Sequence, residues 1–362
     1  MQYVDEFRNA DHVRALADAI GEAAGQTDRH LRFMEVCGGH TMAIHRFGLP
    51  DLLPENVELI SGPGCPVCVT STAYIDTSLR LARQATIIAT FGDLYRVPGD
   101  DGSLEEAAAA GADVEIVYSP RDALDLAREN PGREVVFLGV GFETTVPTIA
   151  ATVLEARSAA LDNFRVLSGH KTMPNALRAL VEAPEVAIDG FLLPGHVSTI
   201  TGTDVFRFLP REFGIPCCVA GFEPTDMMQA IRSLTEQCRD GRAEVDNEYG
   251  RAVQPAGNPK ARRIVQSVFQ PVDARWRGIG IIPGSGLDLR AEWSAFRCER
   301  PDPEVESAEF GECRCGEVLR GLIHPPECPL FGTRCTPETP VGPCMVSSEG
   351  SCAAHYKYGS LT

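Results

Sequence analysis

Long apolar runs are missing from this chain. No stretch of ~18 apolar residues occurs, so no membrane-spanning helix is expected. Basic charge is scarce: 33 lysines and arginines stand against 50 aspartates and glutamates, a net charge of -17. Phosphate contacts need a basic face, so this balance excludes nucleic acid as a partner. The opening segment MQYVDEFRNADHVRALADAI has no basic stretch followed by an apolar one. No secretory signal is read from it, and a cytoplasmic location is expected. That location argues against disulfides as staples. The thirteen cysteines then point to metal or redox chemistry.

What is present is a well-packed globular composition, 44% hydrophobic and 23% charged over 362 residues, long enough for two or three domains. Residues 5–25 read as an amphipathic helix with Val13, Leu16, Ala17 and Ile20 on one side. Short apolar runs follow at 31–36, 56–60, 85–91, 114–120 and 134–140, and others open the segments 164–174, 189–202 and 215–224, most of them separated by helical segments. They do not alternate polar with apolar, which is the pattern of parallel strands covered on both faces. Residues 239–275 look less regular, and 277–287 read as a last strand and loop. The expected fold is α/β: two Rossmann-like parallel-sheet lobes, from blocks at 30–120 and 130–290, plus a small cysteine-rich C-terminal domain. The expected boundaries are 1–120, 121–290 and 291–362.

Nearly every unusual motif begins where a strand ends, the edge at which open α/β sheets bind ligands. Cys37, Cys65, Cys68, Glu143, His170, His196 and Glu223 are therefore expected to converge on one cleft. In Cys37-Gly-Gly-His40-Thr41 the thiol suits a metal ligand or a nucleophile, and His40 suits lowering its pKa or moving a proton; the plainer reading is a tight turn with a buried cysteine. Gly62-Pro-Gly-Cys65-Pro66-Val67-Cys68 is a C-x-x-C at a strand end. A helix beginning at Pro66 would favour the Cys65 thiolate, and a reversible dithiol is the functional reading. Half of a zinc site, with Cys37 as a third ligand, competes with it. Gly141-Phe-Glu143-Thr-Thr145 reads equally as a helix-capping loop and a binding loop. His170 with Lys171, and His196 with Ser198 and Thr199, are loop polar groups. Glu143 and His196 complete a candidate catalytic set with Cys37, His40, Cys65 and Cys68.

Seven cysteines lie in the last 65 residues. Cys328, Cys335, Cys344 and Cys352 are separated by six, eight and seven residues, with prolines and glycines between them. Such composition makes neither a long helix nor a central strand, and a long loop needs something to hold it. Four thiolates around a structural zinc or a [4Fe-4S] cluster would do so. The wide single spacing favours the cluster over zinc; disulfides or buried free thiols are the plain alternatives. Cys313 and Cys315 are reserve ligands whose C-x-C spacing competes with this assignment. Cys217, Cys218, Cys238 and Cys298 read as buried thiols.

CGGHT at 37–41, GPGCPVC at 62–68, GFETT at 141–145 and PGHVSTITG at 194–202, in that order ahead of the cysteine array, closely resemble the HypD family of hydrogenase-maturation proteins. The resemblance covers essentially the full length. It implies two Rossmann-like domains and a small [4Fe-4S] domain, and a role in building the Fe(CN)2CO group of [NiFe] hydrogenases. It implies a HypC-like small chaperone and a HypE-like cyanide donor as partners. By matching motif, Cys37 would be the thiolate for a transient mononuclear iron carrying CN and CO. His40 would assist proton transfer or ligand orientation. Cys65 and Cys68 would be the redox-active dithiol, and Cys328, Cys335, Cys344 and Cys352 would hold the cluster. The alternatives from other classes are an iron-sulfur thiol-disulfide oxidoreductase acting on protein disulfides and a zinc-bound binding module.

Overall fold

Each expected apolar run forms a strand in the computed structural model, which describes residues 5–304 and 312–359. Residues 1–4 of the expected first domain, and 305–311 and 360–362 of the expected third, lie outside the described residues. In chain order the strands are β1 (Leu31–Glu35), β2 (Val57–Ser61), β3 (Ile87–Thr90), β4 (Val114–Ile116), β5 (Val135–Gly139), β6 (Phe164–Ser168), β7 (Gly190–Leu193), β8 (Cys217–Val219), β9 (Val245–Asn247), β10 (Phe269–Trp276) and β11 (Gly280–Leu289). Two parallel sheets result, one in the order β2-β1-β7-β8-β9 and one in the order β4-β3-β5-β6.

The central strand β1 shows why its sequence does not alternate. Phe33 packs with Leu16 and Ile20 of the helix Ala10–Ala24 and with Ile231 and Leu234 of the helix Pro224–Arg239. Met34 points into the core on the opposite face. Both side chains are fully buried, each contributing about 1.5–3 kcal/mol through removal from water. Local signals set the helix ends: the Asn9 side chain accepts from the amides of Asp11 and His12, and Ser103 and Ser119 form capping boxes with Glu106 and Asp122.

Strand pairing departs from the expected contiguous blocks. β3 and β4 join β5 and β6, while β1 and β2 join β7, β8 and β9. The chain thus starts one sheet, builds the whole of the other, and returns; a boundary at 120 cuts through the second sheet. A buried strand's apolar run says that it lies in a covered sheet, not which sheet it joins. A boundary at 291 falls too early as well, because Trp293 and Phe296 belong to the core around β5 and β6, and the Cys298 amide donates to the Val166 carbonyl at 3.0 Å.

The segment 239–275 is more ordered than expected. It contains β9, the helix Pro259–Val268 and β10, which pairs antiparallel with β11. Pro271 and the glycines of β11 hide this hairpin from a pattern reading. The cysteine-rich segment behaves as its composition dictates: the described residues after Cys313 form only short helical pieces, the longest Ser351–Tyr358. No described helix is long and apolar enough to cross a membrane.

Candidate functional site

The carboxyl ends of both sheets face a cavity of about 490 Å³. Val36 and Cys37 after β1, Gly64, Pro66 and Val67 after β2, and Pro194, His196 and Val197 after β7 line it from one sheet. From the other come Thr90 to Leu94 after β3, Val117 and Tyr118 after β4, and Val140 to Phe142 with Thr144 and Thr145 after β5. Glu349, from the cysteine-rich segment, closes it.

Cys37 is not on a free glycine loop; it is the N-cap of the helix Gly38–Arg46. Glu35, almost fully buried, fixes that turn: the Cys37 amide donates to its Oε2 at 3.1 Å and the Thr41 hydroxyl to its Oε1 at 2.6 Å. Burial raises the Glu35 carboxyl to about 8, against the pull of Thr41, Cys37 and Ser61, so it is largely protonated at neutral pH. Burial also pushes the Cys37 thiol up to about 12. The His40 and Gly39 amides at the helix start oppose that rise, while the charges of Glu349 and Glu35 add to it. A metal that binds Cys37 must therefore displace a proton.

The His40 ring does not turn to the Cys37 sulfur. Its Nε2 donates to the Ala220 carbonyl at 3.1 Å, its Nδ1 is buried with no hydrogen-bond partner, and burial lowers its pKa to about 4. It is the His40 backbone amide that addresses the sulfur. The ring instead packs against Phe222, which His196 stacks on from the cavity side at 3.9 Å. His196 is exposed, lines the cavity, and is held below the usual imidazole range by partial burial.

Cys65 and Cys68 are joined in a disulfide, with Cα atoms 5.2 Å apart. The expected helix at Pro66 is a turn; the helix starts at Thr72. One turn closes through the Val69 amide to the Cys65 carbonyl at 3.2 Å, but Thr70 is drawn into a bridge with Trp276. The Cys68 amide still donates to Cys65 Sγ at 3.1 Å, a donor that would favour a thiolate there. The turn is pressed onto the Cys37 loop. The Gly38 amide donates to the Gly64 carbonyl at 3.0 Å, and a Cβ at Gly64 would collide with the Cys37 amide, so this approach requires glycine. On its far side Cys68 Sγ lies 4.0 Å from the Pro343 carbonyl oxygen, next in sequence to Cys344.

Cys328, Cys335, Cys344 and Cys352 line one small enclosed pocket with Cys313, Cys315, Leu330, Phe331 and Met345. Cys315 is in thiol contact with Cys313 and Cys344, and Cys344 with Cys352. The Val341 amide donates to Cys335 Sγ at 3.3 Å. Among the described residues no three donors converge on a point where a single ion would sit. A wall made of thiols and apolar groups, with neither imidazole nor carboxylate, suits a sulfur-rich iron centre.

Five of the seven residues expected at the cleft do not line it: Cys65 and Cys68 leave the wall to their neighbours Gly64, Pro66 and Val67, and three others turn elsewhere. Glu223 pairs with Arg8 and caps the helix Pro224–Arg239. His170 is buried against Ser168, whose Oγ lies 2.9 Å from its Nδ1. Glu143 accepts from the Met173 amide at 2.9 Å, at the start of the helix Met173–Glu182. Its Oε2 is buried without a hydrogen-bond partner, and burial raises the carboxyl to about 7. That folded value lies above the unfolded one, so the stabilisation is fully present below about pH 4.5 and is lost as pH rises through 7. Chemical denaturation of Glu143→Gln, which keeps the acceptor, is expected to show a variant gaining about 1–3 kcal/mol on the native protein between those limits. Parallel curves would remove the buried-acid account.

Pattern reading passed over Asp93 and Glu349 on the cavity wall, and weighed Thr144 and Thr145 only within the capping or binding loop 141–145. Ser347 Oγ donates to Asp93 Oδ2 at 3.2 Å and accepts from the Glu349 amide at 3.2 Å, tying the cysteine-rich segment to the loop after β3. The signal available for Asp93 and the threonines was their position just past a strand end. Nothing local marked Glu349, which sits between two cysteines.

The HypD family model, described as the hydrogenase formation hypA family, matches residues 11–359. The chain is 49% identical over 370 residues to hydrogenase maturation factor HypD2 of Bradyrhizobium diazoefficiens, covering 99% of this chain and 97% of that protein. It is 48% identical over 367 residues to hydrogenase maturation factor HypD of Escherichia coli, covering 99% and 98%. With the Cupriavidus necator HypD it shares 47% over 375 residues, covering 99% and 97%.

Proposed function

Because the chain belongs to the HypD family of hydrogenase maturation factors, we propose that it is the scaffold on which the Fe(CN)2CO group of [NiFe] hydrogenases is assembled. In this reading it works in the cytoplasm with a HypC-like chaperone and receives cyanide from a HypE-like donor. One observation supports it: the Cys37 loop, the Cys65–Cys68 turn and the cysteine-rich segment are in contact in series, through the Gly38 amide to the Gly64 carbonyl at 3.0 Å and Cys68 Sγ to the Pro343 carbonyl at 4.0 Å.

Cys37 offers the iron a soft thiolate, suited to a metal carrying cyanide and CO. The Glu35 and Gly64 contacts hold that sulfur at the cavity wall, and His196 presents its ring to the same cavity. The Cys65–Cys68 dithiol supplies the reduction. Closing to the disulfide, it releases two electrons and two protons. The donor's thiocyanate takes both electrons and one proton as its S–C bond breaks. A thiol stays on the donor, cyanide passes to the iron, and the second proton leaves to solvent. Cys328, Cys335, Cys344 and Cys352 would hold the [4Fe-4S] cluster, which when bound supplies single electrons. Acting on disulfides of other proteins would require an accessible pair; Cys65 is 3% and Cys68 0% exposed, which disfavours that reading.

Anaerobic purification with iron, sulfide and zinc quantification tests the proposal. About four iron and four sulfide per chain, with a broad band near about 400 nm, are expected of such a centre. One zinc and no sulfide would overturn the redox part.

A further inference from the structure

Arg277 sits at the turn between β10 and β11, buried to 7% exposure. Its amide donates to the Val69 carbonyl at 3.0 Å and its Nε to the Thr70 carbonyl at 2.8 Å. Both carbonyls belong to the turn that carries Cys65 and Cys68. On the other side the hairpin meets the cysteine-rich segment backbone to backbone: Gly278 has φ +73°, and a Cβ there would overlap the Gly316 Cα. Gly316 follows Cys315, which lines the thiol pocket and contacts Cys344. One buried cation is thus hydrogen-bonded to the dithiol turn and held against the wall of the thiol pocket.

We propose that Arg277 sets the charge balance of the thiol pocket, its guanidinium offsetting the negative charge of a thiolate-held iron-sulfur centre and raising that centre's reduction potential. This rests on the cluster reading above. Potentials of such centres follow net charge, hydrogen bonding and exposure. The reduced centre is one charge more negative, so a fixed cation stabilises it more than the oxidised one, and more strongly away from water. The same side chain holds the Cys65–Cys68 turn, so the charge and the position of the pair are set together.

The test is a mediated redox titration of the full-length, anaerobically purified protein and its Arg277→Gln and Arg277→Lys variants, with iron and sulfide measured in each. Glutamine is expected to keep the iron and sulfide. At the potential where half of the native centre is reduced, its reduced-to-oxidised ratio should fall by about tenfold or more. Lysine, which keeps the charge without the planar fork, should stay close to the native protein. An unchanged Arg277→Gln potential, or an Arg277→Lys shift as large as that of Arg277→Gln, overturns the inference. Loss of iron from both variants assigns Arg277 to folding and overturns it too. Absence of iron and sulfide from the native protein sinks the cluster reading itself, and is seen before any potential is measured.

Discussion

Cys37→Ala is expected to reduce hydrogenase maturation to the level of a strain lacking the gene, while leaving the chain folded and its cluster iron in place. The thiol is the sole sulfur among the described residues lining the cavity, so no neighbour can take over a soft-ligand role. The fold should tolerate the change: a single Sγ is removed from a helix N-cap, where sulfur is only a weak acceptor for the His40 and Gly39 amides, and the Glu35 contacts to the Cys37 amide and Thr41 remain. Complementation of a deletion strain, read as hydrogenase activity beside iron content and Tm, checks this. Any iron beyond the cluster's should go with the thiol. Maturation persisting in the variant would refute the scaffold role.

The second large effect concerns the thiol pocket. Single serine variants of Cys328, Cys335, Cys344 and Cys352 are each expected to lose most of the iron, sulfide and colour, and to melt at lower temperature. Little else orders this segment, which has only short helical pieces, so binding energy there is folding energy. Cys313→Ser and Cys315→Ser are expected to keep the centre. The decision is a fine one, because Cys315 is buried in contact with both Cys313 and Cys344. Iron lost from Cys315→Ser but kept in Cys328→Ser would move the ligand set to the C-x-C pair. Iron kept in all four variants would remove the cluster from this pocket.

The two sets of thiols differ in what surrounds them. Cys37 stands among groups that hold or move protons, with Glu35, His196 and Glu349 nearby. The thiol pocket is lined by sulfur and apolar side chains. The Cys65–Cys68 turn lies between them and touches both, as an electron-storing pair should if it serves a metal site on one side and an electron source on the other.

By itself the sequence determined most of the parallel strands and the family to which the chain belongs. Runs such as LRFME and VVFLG are buried on both faces and make parallel strands with or without knowledge of their neighbours. CGGHT and GPGCPVC, standing at strand ends, marked two loops that meet, because glycine there admits close backbone contact. The proline- and glycine-rich array could not become regular structure. The tertiary structure alone decided which strands share a sheet, since a covered strand's composition is the same in either one. It decided that Glu143, His170 and Glu223 turn away from the cavity while Asp93 and Glu349 line it, since a residue just past a strand can point either way until packing chooses. It also turned the start of CGGHT into a helix N-cap, so that the His40 amide rather than its ring meets the sulfur. And it set Arg277 between two groups of cysteines, from a hairpin whose prolines and glycines gave no local sign of where its tip would dock.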